Sequence, residues 1–313
     1  MKLHRTLVMA VAIATLVPIG ELCAQSHQVT VLVKLLSDPF GVEIERGAQE
    51  EAKKLGLKCA VLGPNAAEEA EQIRMMRDLI TKGTDGIAVS CLNGEAMTGP
   101  INDAHAKGIP VVTLDSDSAK SERQCYIGTN NYQAGVEAGK AFRQLMPKNG
   151  TYAVLTANLA AINLNERIRG FKDGLGDGYQ EIQGSPLTCD DNVPKAIQLV
   201  QDTLTRNPKL DGLFFAGGWP MYAREAYIRA LGSHAPDIKT KKFVIVSFDN
   251  LVSQLELLKD GYANVLVGQR PAAMGSKAVD VLNELVDRHP IQDSYDTGVD
   301  IVTPENVAEF LKK

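Results

Sequence analysis

The chain has 313 residues, of which 44% are hydrophobic and 23% charged, with a net charge of −5. At roughly 150 residues per domain this is about two domains of ordinary globular composition, which excludes a disordered, collagen-like or many-span membrane chain. No basic excess exists to neutralise a phosphate backbone, which argues against nucleic-acid binding.

Residues 1–24 read differently from the rest. Lys2 and Arg5 precede an uncharged apolar run, Leu7 to Val17, that Pro18 and Gly20 break. A bilayer-spanning helix needs about 20 apolar residues, and this run is shorter. The pattern is that of a secretory signal peptide cut after Ala24. Cys23 raises lipid attachment as a second option, but Leu22 and Gly20 stand where a lipobox wants a small residue and a Leu. Export permits disulfides, yet Cys59, Cys91, Cys125 and Cys189 each sit in or beside an apolar run and match no close zinc pair. Free thiols buried as small hydrophobes are the expectation.

The remaining chain alternates short β-branched runs with helical patterns. Val29–Leu35 reads as a strand, then Asp38-Pro39 opens a helix to about Leu55, with Asp38 as N-cap. Cys59–Leu62 is a strand, followed by a helix from about Ala67 to Lys82 whose apolar residues recur at spacings of three and four. Ile87–Val89, a helix near Met97–Lys107, Val111–Leu114, Tyr126–Thr129 and a helix over Tyr132–Met146 continue the alternation. A second cycle follows Pro147 to Gly150. Its strands are Tyr152–Leu155, Glu181–Gln183, Leu213–Phe215, Phe243–Ser247 and Asn264–Val267. Its helices cover about Glu166–Leu175, Pro194–Arg206, Tyr222–Leu231 and Val252–Lys259, and Pro271 opens a last one to about Asp287. Buried strands alternating with helices imply parallel sheets covered on both faces, hence two doubly wound α/β domains. In such sheets ligands lie at the carboxyl ends of the strands, where strand order reverses.

The sequence carries no phosphate loop, dinucleotide fingerprint, nucleophile elbow or metalloprotease motif, and its five His are scattered. No catalytic group, metal site or cofactor is expected. The polar residues after strands are more informative. Asp115-Ser116-Asp117, Asp249-Asn250, Ser90, Gly268-Gln269-Arg270 and Gly217-Gly218-Trp219 all follow strand runs. Carboxylates and amides accept charge-assisted hydrogen bonds from hydroxyls, and an aromatic ring covers the apolar face of a sugar. Each residue alone could cap a helix or turn, and Trp219 could be a core residue; their agreement over both halves favours a polyhydroxyl ligand.

With these motifs the chain resembles the periplasmic ribose-type sugar-binding proteins (type I periplasmic binding proteins), whose fold is shared with the ligand domains of lactose-repressor-like regulators. The resemblant segments are "VKLLSDPFGVEIERG" from Val33, Gly83-Thr84-Asp85-Gly86-Ile87, Gly108 to Asp115, "YIGTNNYQAG" from Tyr126, and Asn165 to Phe171. The resemblance implies two domains joined by a multi-strand hinge: residues 25–130 plus about 270–292, and 131–269 plus about 293–313. It places Asp38, Phe40, Ser90, Asp115, Ser116 and Thr129 on the first-domain wall, and Arg167, Trp219, Asp249 and Gln269 on the second-domain or hinge side. Gly41 replaces a second Phe of ribose binders, Ser116 an Arg, and Gly218-Trp219 an Asn-Asp pair, which puts ribose itself in doubt.

The implied function is an exported, monomeric solute-binding protein. It closes on a sugar or polyol and delivers it to an inner-membrane ABC permease, without chemistry and without nucleic acid. A ligand-sensing subunit for a chemoreceptor or histidine kinase uses the same features, and an exported carbohydrate-acting enzyme is the rival of another class. The mature chain is expected to begin at Gln25; amino-terminal sequencing of the periplasmic protein checks this, and retention of Met1 overturns it.

Overall fold

The computed structural model describes residues 27–312. The expected signal segment and its cleavage point lie outside the described residues. No helix among the described residues is long and apolar enough to cross a membrane.

In chain order the first lobe contains β1 (Gln28–Leu32), α1 (Pro39–Leu55), β2 (Lys58–Leu62), α2 (Glu69–Lys82), β3 (Gly86–Val89), α3 (Thr98–Ala106), β4 (Val111–Leu114) and β5 (Cys125–Gly128). The chain then enters a second lobe with α4 (Asn131–Leu145), β6 (Thr151–Thr156), α5 (Ile162–Leu175), β7 (Gln180–Glu181), β8 (Leu187–Thr188), α6 (Val193–Arg206) and β9 (Gly212–Phe215). A 3-10 turn at Trp219–Tyr222, α7 (Arg224–Leu231), α8 (Ala235–Lys239), β10 (Val244–Phe248), α9 (Val252–Asp260) and β11 (Val265–Gly268) complete that lobe's main run. The chain returns through α10 (Pro271–Val286) and β12 (Ser294–Asp296), then ends with β13 (Asp300–Val302) and α11 (Val307–Phe310).

The first sheet runs β12-β5-β4-β3-β1-β2 and the second β13-β11-β10-β9-β6-β7, with β8 also on β6. All pairings are parallel except that of β13 with β11. Strand order reverses at β1/β3 and at β6/β9, which is the doubly wound pattern the alternation implied. The central strands are buried throughout, so they appear in the sequence as continuous apolar runs. Three connections join the lobes, after β5, after β11 and between β12 and β13. The final return lies between Asp296 and Asp300, because β12 pairs with β5 of the first sheet. The expected boundary near 292 falls just short of that strand.

The two cores differ in composition. The second lobe stacks Phe171 on Phe214 at 4.0 Å, with Phe142, Tyr152 and Phe248 edge-on around them. The first lobe packs aliphatic side chains on both sheet faces, such as Val31, Ile44 and Val279 on one and Leu32, Met76 and Ile101 on the other. The four cysteines among the described residues are free; Cys91, Cys125 and Cys189 are buried and Cys59 half-buried. Burial pushes the Cys59 and Cys125 thiols up to about 11 and Cys189 to about 12, so they stay protonated and unreactive.

Each lobe also holds one pair of helices in backbone contact. A Cβ on Gly47 of α1 would lie 1.9 Å from the Ala272 carbonyl of α10, and one on Gly139 of α4 would lie 2.1 Å from the Phe171 carbonyl of α5. Side chains at these positions would force the helices apart. Gly139→Ala should therefore destabilise the protein by about 1–3 kcal/mol, because overpacking outweighs the gain of at most about 1 kcal/mol in helix propensity. Gly99, in α3, has open space around it, so Gly99→Ala should be neutral or stabilising by about 0.5–1 kcal/mol. Paired denaturant titrations check this; equal stability of the two variants contradicts it.

Candidate functional site

The site lies between the lobes, where the carboxyl ends of both sheets face each other. Asp38 follows β1, Ser90 follows β3 and Asp115 follows β4 directly. Opposite them, Asp191 follows β8, Gly217 and Trp219 follow β9, Asp249 follows β10 and Gln269 follows β11. Asn163 and Arg167 reach in from the first turns of α5. All of these border one cavity.

Asp115 is the anchor of the first wall. It accepts from Ser90 Oγ at 2.9 Å and Asn163 Nδ2 at 3.3 Å, and pairs with Lys34 Nζ at 3.0 Å. Arg167 lies 3.9 Å away. Burial opposes its charge more than any other influence, yet Lys34 and Arg167, with the Lys34 and Ser90 hydrogen bonds, hold its carboxyl below the usual range. Because Asn163 and Arg167 belong to the second lobe, these contacts close the cleft.

Arg167 is only 2% exposed. Its Nε donates to Asn131 Oδ1 at 2.8 Å, Nη1 to the Ala216 carbonyl at 2.9 Å and Nη2 to Gln269 Oε1 at 2.6 Å. The guanidinium also covers the Phe248 ring at 4.4 Å. Gln269 passes the network on, donating from Nε2 to Asp249 Oδ1 at 2.7 Å. The other Asp249 oxygen accepts from the Gly218 amide at 2.9 Å and the Tyr222 hydroxyl at 3.2 Å. Trp219 is 7% exposed, and its Nε1 donates to Asp191 Oδ1 at 3.0 Å. The ring is thereby held on the cavity wall with its indole N–H satisfied.

Three of the four cavity carboxylates sit on left-handed backbone: Asp115 at φ 58°, Asp191 at 53° and Asp249 at 71°. Asp is among the few non-glycine residues that tolerate this region, and such strain collects at functional sites. Burial pushes the Asp249 and Asp191 carboxyls up, against the pull of Arg167 on the first and Lys34 on the second. Asp38 is raised to about 7, by burial first and then by the negative charges of Asp249 and Asp191, while the Phe40 and Gly41 amides pull it down.

Of the residues expected on the walls, Asp38, Phe40, Ser90, Asp115, Arg167, Trp219, Asp249 and Gln269 border the cavity. Ser116 and Thr129 stand behind it. The Ser116 hydroxyl donates to Asn163 Oδ1 at 3.4 Å, and the Thr129 hydroxyl donates to Gln269 Oε1 at 3.0 Å from the edge where the chain crosses between lobes. Four polar lining residues were not anticipated: Lys34, Asn163, Asp191 and Tyr222. The signal for Lys34 was its place within the "VKLLSDPF" segment; Asp191 had none beyond the Asp-Asp pair. Among the described residues no cluster of His, Cys, Asp and Glu is arranged to hold a metal ion.

The chain is 23% identical over 305 residues to the ribose import binding protein of Escherichia coli K12, covering 97% of this chain and 99% of that one. It is 34% identical to an ABC transporter solute-binding protein from Burkholderia graminis solved with D-arabinose, with a TM-score of 0.82 over 90% of this chain and 96% of the other. A solute-binding protein from Agrobacterium vitis with bound D-fucose is 27% identical, with a TM-score of 0.84 over 91% and 98% of the two chains. The family model described as "periplasmic binding protein domain" matches residues 29–289, which include every cavity residue named above, and the chain belongs to that family.

Proposed function

We propose that the protein is an exported, monomeric solute-binding protein of the periplasm, which captures one sugar or polyol in the interdomain cleft and delivers it to an inner-membrane ABC permease. The observation that carries this reading is the lining itself. Carboxylates, amides and two cations converge from both lobes on one cavity, with Trp219 and Phe40 as apolar plates. Hydroxyls both donate and accept, so they satisfy such a mixed lining, and the aromatic faces suit the C–H side of a sugar ring. The cavity holds about 60 Å³, against roughly 10–15 Å³ for one water on the same measure, so it suits one compact ligand rather than an oligosaccharide. The sugars held by the solved relatives support the same class. Hinge closure about three connections would trap the ligand and present a closed surface for delivery.

Mass spectrometry of small molecules released from freshly purified protein tests the reading directly; a sugar or polyol is expected, and a peptide or nucleotide overturns it. With the released compound as titrant, Asp115→Ala should weaken binding by about 1.5–3 kcal/mol, roughly 10–150-fold, by removing a charged acceptor from a desolvated wall. Arg167→Lys should also weaken it, because an ammonium cannot reproduce the planar fork that meets Asn131, Ala216 and Gln269 together. Calorimetry beside thermal melts separates binding from folding, and unchanged affinity in both variants removes them from the site.

Trp219 is the only tryptophan in the chain, so intrinsic tryptophan emission reports on this wall alone. Saturation with the same compound should shift the emission or change its intensity. Trp219→Ala should lose about 1–3 kcal/mol of affinity, in line with the apolar surface removed. An unresponsive spectrum together with wild-type affinity in the variant would place the ring outside the site.

A further inference from the structure

The cleft brings four carboxylates against two cations, and both cations serve the same carboxylate. Lys34 and Arg167 lie 3.0 and 3.9 Å from Asp115. Among the described residues Asp38, Asp191 and Asp249 form no ion pair. These three come from opposite lobes: Asp38 from the first, Asp191 and Asp249 from the second. Closing the cleft therefore brings like charges together on the walls of one cavity withdrawn from bulk solvent, where their repulsion is screened less than in water. The three are not equally supported. Asp249 receives three hydrogen bonds, from Gln269, Gly218 and Tyr222. Asp191 receives the Trp219 indole N–H. Asp38 has no side-chain donor or cation, only the Phe40 and Gly41 amides at the start of α1; the groups that face it across the cleft are Asp191, Asp249 and the neutral Tyr222 phenol, whose own ionisation is suppressed by burial and by Asp249 and Asp38. On its own lobe Lys34 is already engaged with Asp115.

We propose that closing the cleft on an uncharged sugar takes up a proton, that Asp38 holds it, and that this residue makes the site selective for neutral over anionic ligands. The inference rests on the sugar-binding reading above. As an acid, Asp38 donates a hydrogen bond to a ligand oxygen while the other carboxylates accept from ligand hydroxyls. An anionic ligand would add to the repulsion instead of relieving it. In the closed cleft the Asp38 carboxyl is raised to about 7 from an ordinary 3.8. The closed state thus binds more protons than the open one between those values, and affinity rises as the pH falls from 8 through 7.

The test is calorimetry of the mature protein with D-ribose, D-arabinose, D-fucose, D-allose and D-arabitol at pH 6 and pH 8, each in two buffers of different protonation heat. The sugars that bind should do so more tightly at pH 6, by up to about tenfold, with fractional proton uptake near pH 7. Asp38→Asn should bind with the same affinity at both pH values. Equal wild-type affinity at the two pH values, proton release, or a dependence that survives in Asp38→Asn overturns the proposal. The buffer comparison on the wild-type protein reads proton uptake even if the variant misfolds. D-Glucosamine binding where the neutral probes fail would show that the positive charge arrives with the ligand, which overturns the proton step and leaves the sugar reading standing. Failure of every probe at millimolar concentration, together with release of a peptide or nucleotide from the purified protein, overturns the sugar reading itself.

Discussion

A guanidinium buried as deeply as that of Arg167 has to be met on every side, because an unsatisfied charge in the interior costs several kcal/mol. Its acceptors come from the start of α4, the end of β9 and the end of β11, and its flat face rests on a ring of β10. Those points are the crossing from the first lobe, the two central strand ends of the second, and the crossing back. A residue that borders the cavity is also the one that ties the second lobe to its hinge. Across the cleft, the Asp115 carboxyl is held toward its ionised form by Arg167 and Lys34 together. Site electrostatics and lobe geometry are one system here.

The glycine contacts explain how such a network is held still. The backbone of α4 lies directly against that of α5: a Cβ on Gly135 would stand 2.2 Å from the Arg167 carbonyl. The helix that carries Arg167 is thus located by main chain against main chain, a contact with no rotamer freedom. Behind it Phe171 is stacked on Phe214, so the turn after Arg167 is fixed by the aromatic cluster of the core. The first lobe repeats the device with Gly47 and Gly275 between α1 and α10, and α1 begins at Pro39, immediately after Asp38.

Much of this was legible in the sequence because buried parallel strands write themselves as apolar runs and because the cavity residues follow them. Asp115, Asp249 and Gln269 could be placed from the run that precedes each. The omissions have equally local causes. The run Val29–Leu35 reads as one strand, but pairing ends at Leu32, so Lys34 belongs to the strand end rather than its interior. Helix α5 starts at Ile162, one turn before its apolar period becomes visible, because Asn158 caps the preceding turn by accepting from the Ala160 and Ala161 amides; Asn163 falls in that hidden turn. Asp191 follows a two-residue strand, β8, which is too short to leave a pattern. Strands β12 and β13, three residues each, are equally silent, and with them the position of the third connection between lobes.

The left-handed backbone at Asp115, Asp191 and Asp249 limits how this site can diverge. Asparagine and glycine enter that region cheaply, whereas β-branched or bulky residues do so only with strain. These three positions can drift between an acid, an amide and a hydrogen atom while the strands behind them stay in place. A change toward apolar or branched ligand-binding groups is open only at positions with ordinary backbone, such as Phe40, Ser90 and Trp219. New ligand preferences in this scaffold should therefore arise by swapping plates and small polar residues around a nearly fixed ring of acids and amides.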